Sequence, residues 1–482
     1  MKNEYISNEK LYDIVKSSTR VIIPYDLEND NVKSGDIFFS LNKIPTHGIR
    51  RFVFKAYRFL EFNLMPVLRI LKILLKKTGK YRLLAVDGNA YAPEALKKDA
   101  GHVVVDNFKV VNGPEFLLVE NVQKAFRDVA TLRREQLPAK FVAVTGSCGK
   151  TTTKGIIQSV LSTKYDCEGT FENDNCFPWI PQRILNVNSK TQFGIFEMGV
   201  SNIGDITSYC KIVKPDSGVI TCIGKSHLEF LHSIDQVEKA KKELFDYLIS
   251  RQGHIFLNLD DPRLASFGTG YSQLTTFGGR DDAEVQGKVF ELNPFLKIKW
   301  RPSLNSQDNH ISQTRMWGAY NLTNVLSAIA VGLHYDIPLK MIHEAIEAYE
   351  PLELRSQVIE RGSKRIFVDA YNANPTSLKA SLESFYGIKS RRKIAIIGDM
   401  LELGHSSYKE HGDIVSLCKE FNFDRMVFIG NEFFRVKDKN AGLFFPNLRR
   451  AKGWIIKQNF TDSDIFLKGS RGISIEKVLS FI

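Results

Sequence analysis

Residues 142–154 read VAVTGSCGKTTTK, and the interpretation of this stretch decides the fold. Phe141 to Thr145 is an unbroken apolar run of the kind that forms a buried parallel strand. Gly146 and Gly149 permit a tight turn that aims backbone N–H groups inward, and TTTKGIIQSVL, residues 151–161, has helical character. A helix N-terminus facing such N–H groups makes an anion site. Lys150 adds a charge suited to terminal phosphates, and Thr151 a hydroxyl suited to Mg2+. The common loop pattern GxxxxGK[ST] wants glycine at position 144, where valine stands, so the strand runs further before it turns. The candidate nucleotide-binding residues are therefore Thr145, Gly146, Ser147, Cys148, Gly149, Lys150, Thr151 and Thr152.

The strand–helix rhythm continues on both sides. HVVVDN, KFVAVTG, FGIFEM, SGVITCIG and GHIFLNLD read as strands separated by helical stretches such as SIDQVEKAKKELFDYLISR. TTFGG through IKWRPS, residues 275–303, reads as antiparallel strand material. RIFVDAY, KIAIIGD, RMVFIG and DIFLKGS resume the alternation in a second α/β unit. Alternation of this kind predicts mostly parallel sheets covered on both faces. The expected fold is α/β with three domains: a small N-terminal α/β domain over 1–137, a central P-loop-type domain over 138–350, and a Rossmann-like C-terminal domain over 351–482.

The net charge of +12 in 482 residues is unevenly placed. Between Arg50 and Arg82 stand ten basic residues against the single acid Glu61, so the rest of the chain is close to balanced. A general nucleic-acid-binding role loses its support, and no nucleic-acid partner is expected. The same segment is apolar with a helical polar stripe, and it reads as a helical insertion at about 45–85. Either it lies on an anionic membrane surface through residues 50–80, or it is a helical hairpin packed on its own domain or a partner subunit. No charge-free run approaches the roughly 18 apolar residues of a membrane span. The six cysteines are scattered without a C-x-x-C pair, and MKNEYISNEK lacks an apolar signal core, so a reducing cytoplasm is expected.

The loop Thr145–Thr152 resembles that of the Mur ligase family, which reads TGTxGKTT or TGSxGKTT without the earlier glycine. FEMGVSNIGDI, ITCIGKSHLEFLHSIDQVEKAKKELF and GAYNLTN resemble further blocks of the family in the same order. VDAYNANPTSLKASL, IIGDMLELG and FLKGSRG resemble the branch that joins D-alanyl-D-alanine to a UDP-N-acetylmuramoyl-tripeptide. The similarity runs from about Asp87 to the C-terminus. It implies an ADP-forming amide ligase of peptidoglycan precursor synthesis, in which ATP converts a carboxylate to an acyl phosphate and an amine displaces phosphate. By the same resemblance two Mg2+ ions would be held by Thr151, Glu197, His227 and a carbamylated Lys241. Lys150 would neutralise phosphate, Arg355 would reach the γ-phosphate, Asn321 the adenine and Asp369 the ribose. Asn372, Asn374, Lys468 and Arg471 would face substrate. The implied partners are a nucleotide-linked acceptor and an amino-acid or dipeptide amine, bound by a monomer.

Each of these residues also has an ordinary reading. Lys241 sits among Lys239 and Lys242, Asn321 suits a helix cap, Asn372 and Asn374 suit a bare turn, and KGSRG makes a basic turn. The departures gather where substrate is chosen. No Asp-Ser-Arg stands near the start, FENDNCFPWIPQRI lacks the N-x-x-G-x-P spacing, Tyr320 replaces a histidine, and Leu354-Arg355 replaces Gly-Arg. Two other functions follow from those departures: the same ligation on a lipid- or polysaccharide-linked carboxylate, and a non-catalytic binding subunit. The intact set Lys150, Thr151, Glu197, His227 and Lys241 speaks against the second.

Overall fold

A computed structural model describes residues 5–18, 20–23, 32–33, 36–41, 88–171, 174–268, 270–352, 354–390, 392–421 and 423–482. The basic apolar insertion expected at about 45–85 lies outside the described residues. Contacts divide the chain into two compact units, 1–137 with 177–187, and 138–176 with 188–482.

The first unit holds a four-stranded parallel sheet in the order β1-β2-β3-β4: β1 (Val21–Ile22), β2 (Ile37–Phe39), β3 (His102–Val105) and β4 (Phe116–Leu118). Helix Val122–Gln136 is capped by Asn121, whose side chain accepts from Lys124 N, and it buries Phe126, Val129 and Ala130. Helix Trp179–Leu185 belongs to this unit and not to its sequence neighbours. Just after it, Asn186 mimics a strand partner: its side chain accepts from Val21 N at 2.8 Å and donates to Val21 O at 3.0 Å.

The second unit holds two sheets. The larger has nine strands in the order β13-β12-β11-β10-β9-β8-β5-β7-β6. They are β5 (Lys140–Thr145), β6 (Cys167–Gly169), β7 (Phe193–Glu197), β8 (Ser217–Ile220), β9 (His254–Asn258), β10 (Leu274–Gly278), β11 (Val285–Leu292), β12 (Leu296–Arg301) and β13 (His310–Gln313). Beyond its first residue β5 is wholly buried, as its apolar run requires. Strand β10, expected to start the antiparallel material, instead pairs parallel with β9 and β11. Antiparallel pairing begins only at β11–β12, where the chain returns directly.

The core of this sheet lies under helices Lys150–Leu161, Asn321–His334 and Leu339–Ala348, where Val142 and Val144 meet Ile156, Ile157, Leu326 and Ile329. The smaller sheet has the order β14-β15-β19-β16-β17-β18. Its strands are β14 (Gln357–Arg361), β15 (Lys364–Val368), β16 (Lys393–Gly398), β17 (Arg425–Ile429), β18 (Leu443–Phe445) and β19 (Asp464–Lys468), all parallel except β14. Among the described residues no helix is long and apolar enough to cross a membrane.

Candidate active site

Strand β5 lies between β8 and β7, and the chain leaves all three at the same sheet edge. Open α/β sheets form their ligand crevice outside the C-terminal ends of strands where the order reverses. Thr145, Glu197 and the segment Thr221–His227 emerge there, so the order of the strands assembles the site.

The loop after β5 is held from several sides. Thr145 Oγ1 donates to Met198 O at 2.8 Å, and Ser147 N to Cys222 O at 2.9 Å. Ser147 Oγ donates to Gly224 O at 2.9 Å, and Thr221 Oγ1 donates to the Cys148 carbonyl. Gly149 has a φ of +76°, and a Cβ there would stand 2.4 Å from Asn324 Oδ1. That position needs glycine for both reasons. Lys150 opens the helix and folds its Nζ back onto Gly146 O at 2.8 Å. Thr151 and Thr152 are buried in the first turn.

Helix Ile234–Ser250 carries Lys241. Its buried face is Val237, Ala240, Lys241, Leu244, Phe245 and Leu248, a helical apolar stripe in which lysine occupies an apolar position. That periodicity, visible in the sequence, is an independent signal for Lys241. The side chain is 0% exposed and its Nζ has no hydrogen-bond partner. Burial, and then the charge of Lys150, pull its ammonium down to about 7, against the opposing pull of Cys222, Cys148 and Glu197. Glu197 is 1% exposed. Its Oε1 accepts from Asn175 Nδ2 at 2.7 Å, while Oε2 is buried without a partner. An unpartnered carboxylate oxygen and an unpartnered amine in one buried site are a demand for a further group, because such atoms are costly to leave unsatisfied. Among the described residues no group of three or more His, Cys, Asp or Glu is placed to hold a metal by itself.

The smaller sheet closes onto this edge. Lys225 N donates to Thr376 Oγ1 at 2.9 Å, and Lys225 Nζ to Glu410 at 2.6 Å. His227, at a φ of +52°, sets its Nδ1 2.8 Å from Glu402 Oε2, and Glu229 N donates to Glu402 O at 2.9 Å. Asn374 caps helix Pro375–Gly387 in a capping box with Ser377, and its Nδ2 also reaches Ser147 O at 3.3 Å. Asn175, Glu402, Lys225 and Glu410 were not picked out from the sequence. Their partners come from distant segments, and only the GDMLELG block pointed toward Glu402.

The remaining sequence candidates divide. Asn321 is buried and gives both amide hydrogens away, to Trp317 O at 2.8 Å and Ser356 Oγ at 3.0 Å, while its oxygen accepts from Asn324. In this arrangement it has no donor left for a base edge. Lys468 is buried in an ion pair with Asp369, because β15 and β19 are neighbours and both residues lie at their C-terminal ends. In this arrangement the charge of Lys468 is paired inside the domain. Asp369 also accepts from Ser381 Oγ at 3.1 Å. Arg355 and Arg471 both stand over the Tyr371 ring, at 3.6 and 5.7 Å from its centroid. Leu354, where the family has glycine, keeps a φ of +64°. Asn372 is exposed, its side chain accepting from Ala373 N.

Two family models match this chain: the Mur ligase middle domain over residues 144–332, and the Mur ligase glutamate ligase domain over 354–450. The UDP-N-acetylmuramoyl-tripeptide–D-alanyl-D-alanine ligase of Rickettsia prowazekii is 28% identical over 406 residues, which are 82% of this chain and 90% of the relative. The enzyme of the same name from Bacillus subtilis is 28% identical over 413 residues, 82% of this chain and 87% of the relative. In fold, the chain superimposes on a crystal structure of MurF from Acinetobacter baumannii with a TM-score of 0.80 at 22% identity, covering 99% of this chain and 98% of that one. MurF ligase from Thermotoga maritima, solved in complex with ADP, gives 0.79 at 22% identity with 97% of both chains covered. With its loop, its buried Glu197 and Lys241, and matching domain models over more than half of its length, the chain belongs to the Mur ligase family.

Proposed function

We propose that this chain is an ATP-dependent, ADP-forming amide ligase that adds D-alanyl-D-alanine to a UDP-N-acetylmuramoyl-tripeptide in peptidoglycan precursor synthesis. The observation that carries this reading is the buried, unpartnered Lys241 Nζ and Glu197 Oε2 beside a phosphate loop, in a chain whose curated relatives bear that activity in their names. ATP would lie with its phosphates on Thr145–Thr152, drawn by the loop N–H groups, the helix N-terminus and Lys150. Mg2+, held by Thr151, Glu197, His227 and a carbamylated Lys241, would neutralise the repulsion between carboxylate and triphosphate. An amine pulled down to about 7 is substantially neutral at physiological pH, and the neutral form is the one that adds CO2. Addition forms an N–C bond and releases one proton, which turns Lys241 into an oxygen donor.

The substrate carboxylate takes the γ-phosphoryl group, and the dipeptide amine then displaces phosphate. Contacts from the smaller sheet through Asn374, Thr376, Glu402 and Glu410 support a closed form that keeps water from the acyl phosphate. We assign Arg355 and Arg471, paired over Tyr371, to the γ-phosphate and the incoming amine substrate, with Asn372 at the mouth. Asp369 would reach the ribose only by sharing its charge with Lys468. Asn321 would reach adenine only by releasing Trp317 or Ser356; as it stands it braces the helix behind Gly149. The division into 1–137 for acceptor recognition, 138–350 for ATP and 351–482 for the amine belongs to the same proposal. So do a monomeric state, a cytoplasmic location and a membrane contact through residues 50–80.

The test is direct. Purified protein is given ATP, Mg2+, UDP-N-acetylmuramoyl-tripeptide and D-alanyl-D-alanine, and products are read by mass spectrometry. Phosphate release should require both substrates and yield the condensed pentapeptide. Release without the amine, or no product from this pair, would overturn the assignment.

A further inference from the structure

The fold brings together two cysteines that the sequence keeps 74 residues apart. Cys148 is in the middle of the phosphate loop and Cys222 just beyond the end of β8, and both are half-buried. The hydrogen bond from Ser147 N to Cys222 O ties the two segments at their own level. Cys222 Sγ lies 3.8 Å from Cys148 O. The Ser147 bond joins the residue next to Cys148 to Cys222 itself, and a disulfide needs Cα atoms about 4.4–6.8 Å apart. The hydrogen bond from Cys222, then that from the Asn374 amide, then the charges of Lys150 and Lys468 pull the Cys148 thiol down to about 7, against burial. Cys222 is pushed up, first by donating to Cys148. One thiol is thus set to attack and the other to resolve.

The other described cysteines differ. Cys210 and Cys418 are buried with their thiols pushed up, burial raises Cys167 to about 11, and Cys176 is exposed.

We propose that Cys148 and Cys222 are a thiol–disulfide modification site, closed by a small-molecule disulfide, and that the closed form withholds the loop from nucleotide. The Cys148 thiolate attacks one sulfur of a disulfide RSSR, giving Cys148–SR and releasing RS−. Cys222 then gives up its proton and attacks the Cys148 sulfur, releasing the second RS−. The cysteine pair loses two electrons and RSSR gains them. Bridging to Cys222 takes the Cys148 sulfur from Asn374, 3.6 Å away, and fixes a loop whose N–H groups must converge on phosphate. The effect on ATP rests on the nucleotide site proposed above; the cross-link does not.

The full chain is incubated with oxidised glutathione, alkylated, digested and mapped by mass spectrometry, and ATP binding is titrated in parallel. The expected result is a Cys148–Cys222 linked peptide as the main cross-link, with affinity for ATP reduced at least about tenfold and restored by dithiothreitol. Cys222→Ser should stop at a Cys148–glutathione adduct, which identifies the resolving thiol. If that variant does not fold, slower cross-linking of the wild type in saturating ATP reads the same coupling. Modification confined to Cys176, or a linked form that binds ATP as the reduced form does, overturns the proposal. A reduced chain that binds no ATP overturns the nucleotide reading alone, and the linked peptide still decides the pair.

Discussion

Replacing Lys241 by methionine should leave the protein more stable and inactive. In the unfolded chain the lysine takes up its proton below its ordinary value of 10.5, and in the folded protein only below about 7. Between those values folding must release a proton. The lysine's favourable contribution is therefore complete only above 10.5, is lost as the pH falls toward 7, and stays lost below that. A gap of about 3.5 units at about 1.36 kcal/mol each gives about 5 kcal/mol in full, about 4 at pH 7 and about 2 at pH 9. Methionine fills the same slot among Val237, Leu244 and Phe245 without a charge. Urea unfolding at pH 7 and pH 9, in CO2-depleted buffer without Mg2+, should show Lys241→Met ahead by about 4 and then about 2 kcal/mol. Bicarbonate with Mg2+ should narrow the gap by stabilising the wild type alone, since only it can form the carbamate. A wild type at least as stable as the variant at pH 7, or a gap that does not shrink toward pH 9, would refute the reasoning.

Lys150→Ala removes a charge whose one described bond is to Gly146 O, so calorimetric titration should show ATP affinity down by about 1.5–3 kcal/mol with an unchanged circular dichroism spectrum. Lys468→Met strands the Asp369 carboxylate and should cost about 3–5 kcal/mol in chemical denaturation, with much of the loss recovered in Asp369→Leu/Lys468→Met. Asn374→Ala deletes the cap of helix Pro375–Gly387, so denaturation should show a loss of about 1 kcal/mol.

The inner strands β5, β7, β8, β9, β15, β16, β17 and β19 were legible because each is a short apolar run between turns, and the phosphate loop because strand, glycines and helix start lie within a dozen residues; β6 (CEG) and β13 (HISQ) carry no such run and were not legible. Lys241 was marked by its block and, independently, by its place in an apolar helical stripe. Strand β10 was misread because a five-residue run carries no record of whether its partner runs parallel or antiparallel. The roles of Asn321 and Lys468 were out of reach for a related reason. An amide or ammonium in a motif looks the same whether it faces a ligand or is satisfied within the chain, and the partners Ser356 and Asp369 come from other strands and loops.

By itself, then, the sequence determined what depends on neighbours along the chain: the periodic burial of strands and helices, the glycines that let the loop turn, and the nucleotide-binding family type. The tertiary structure decided which remote groups meet. It set Glu402 against His227, Asn374 against Ser147, and Cys222 against Cys148. Hydrogen bonds and charge interactions act across a few ångströms whatever the chain distance, and strand order together with the packing of the two sheets determines which parts of the chain come that close.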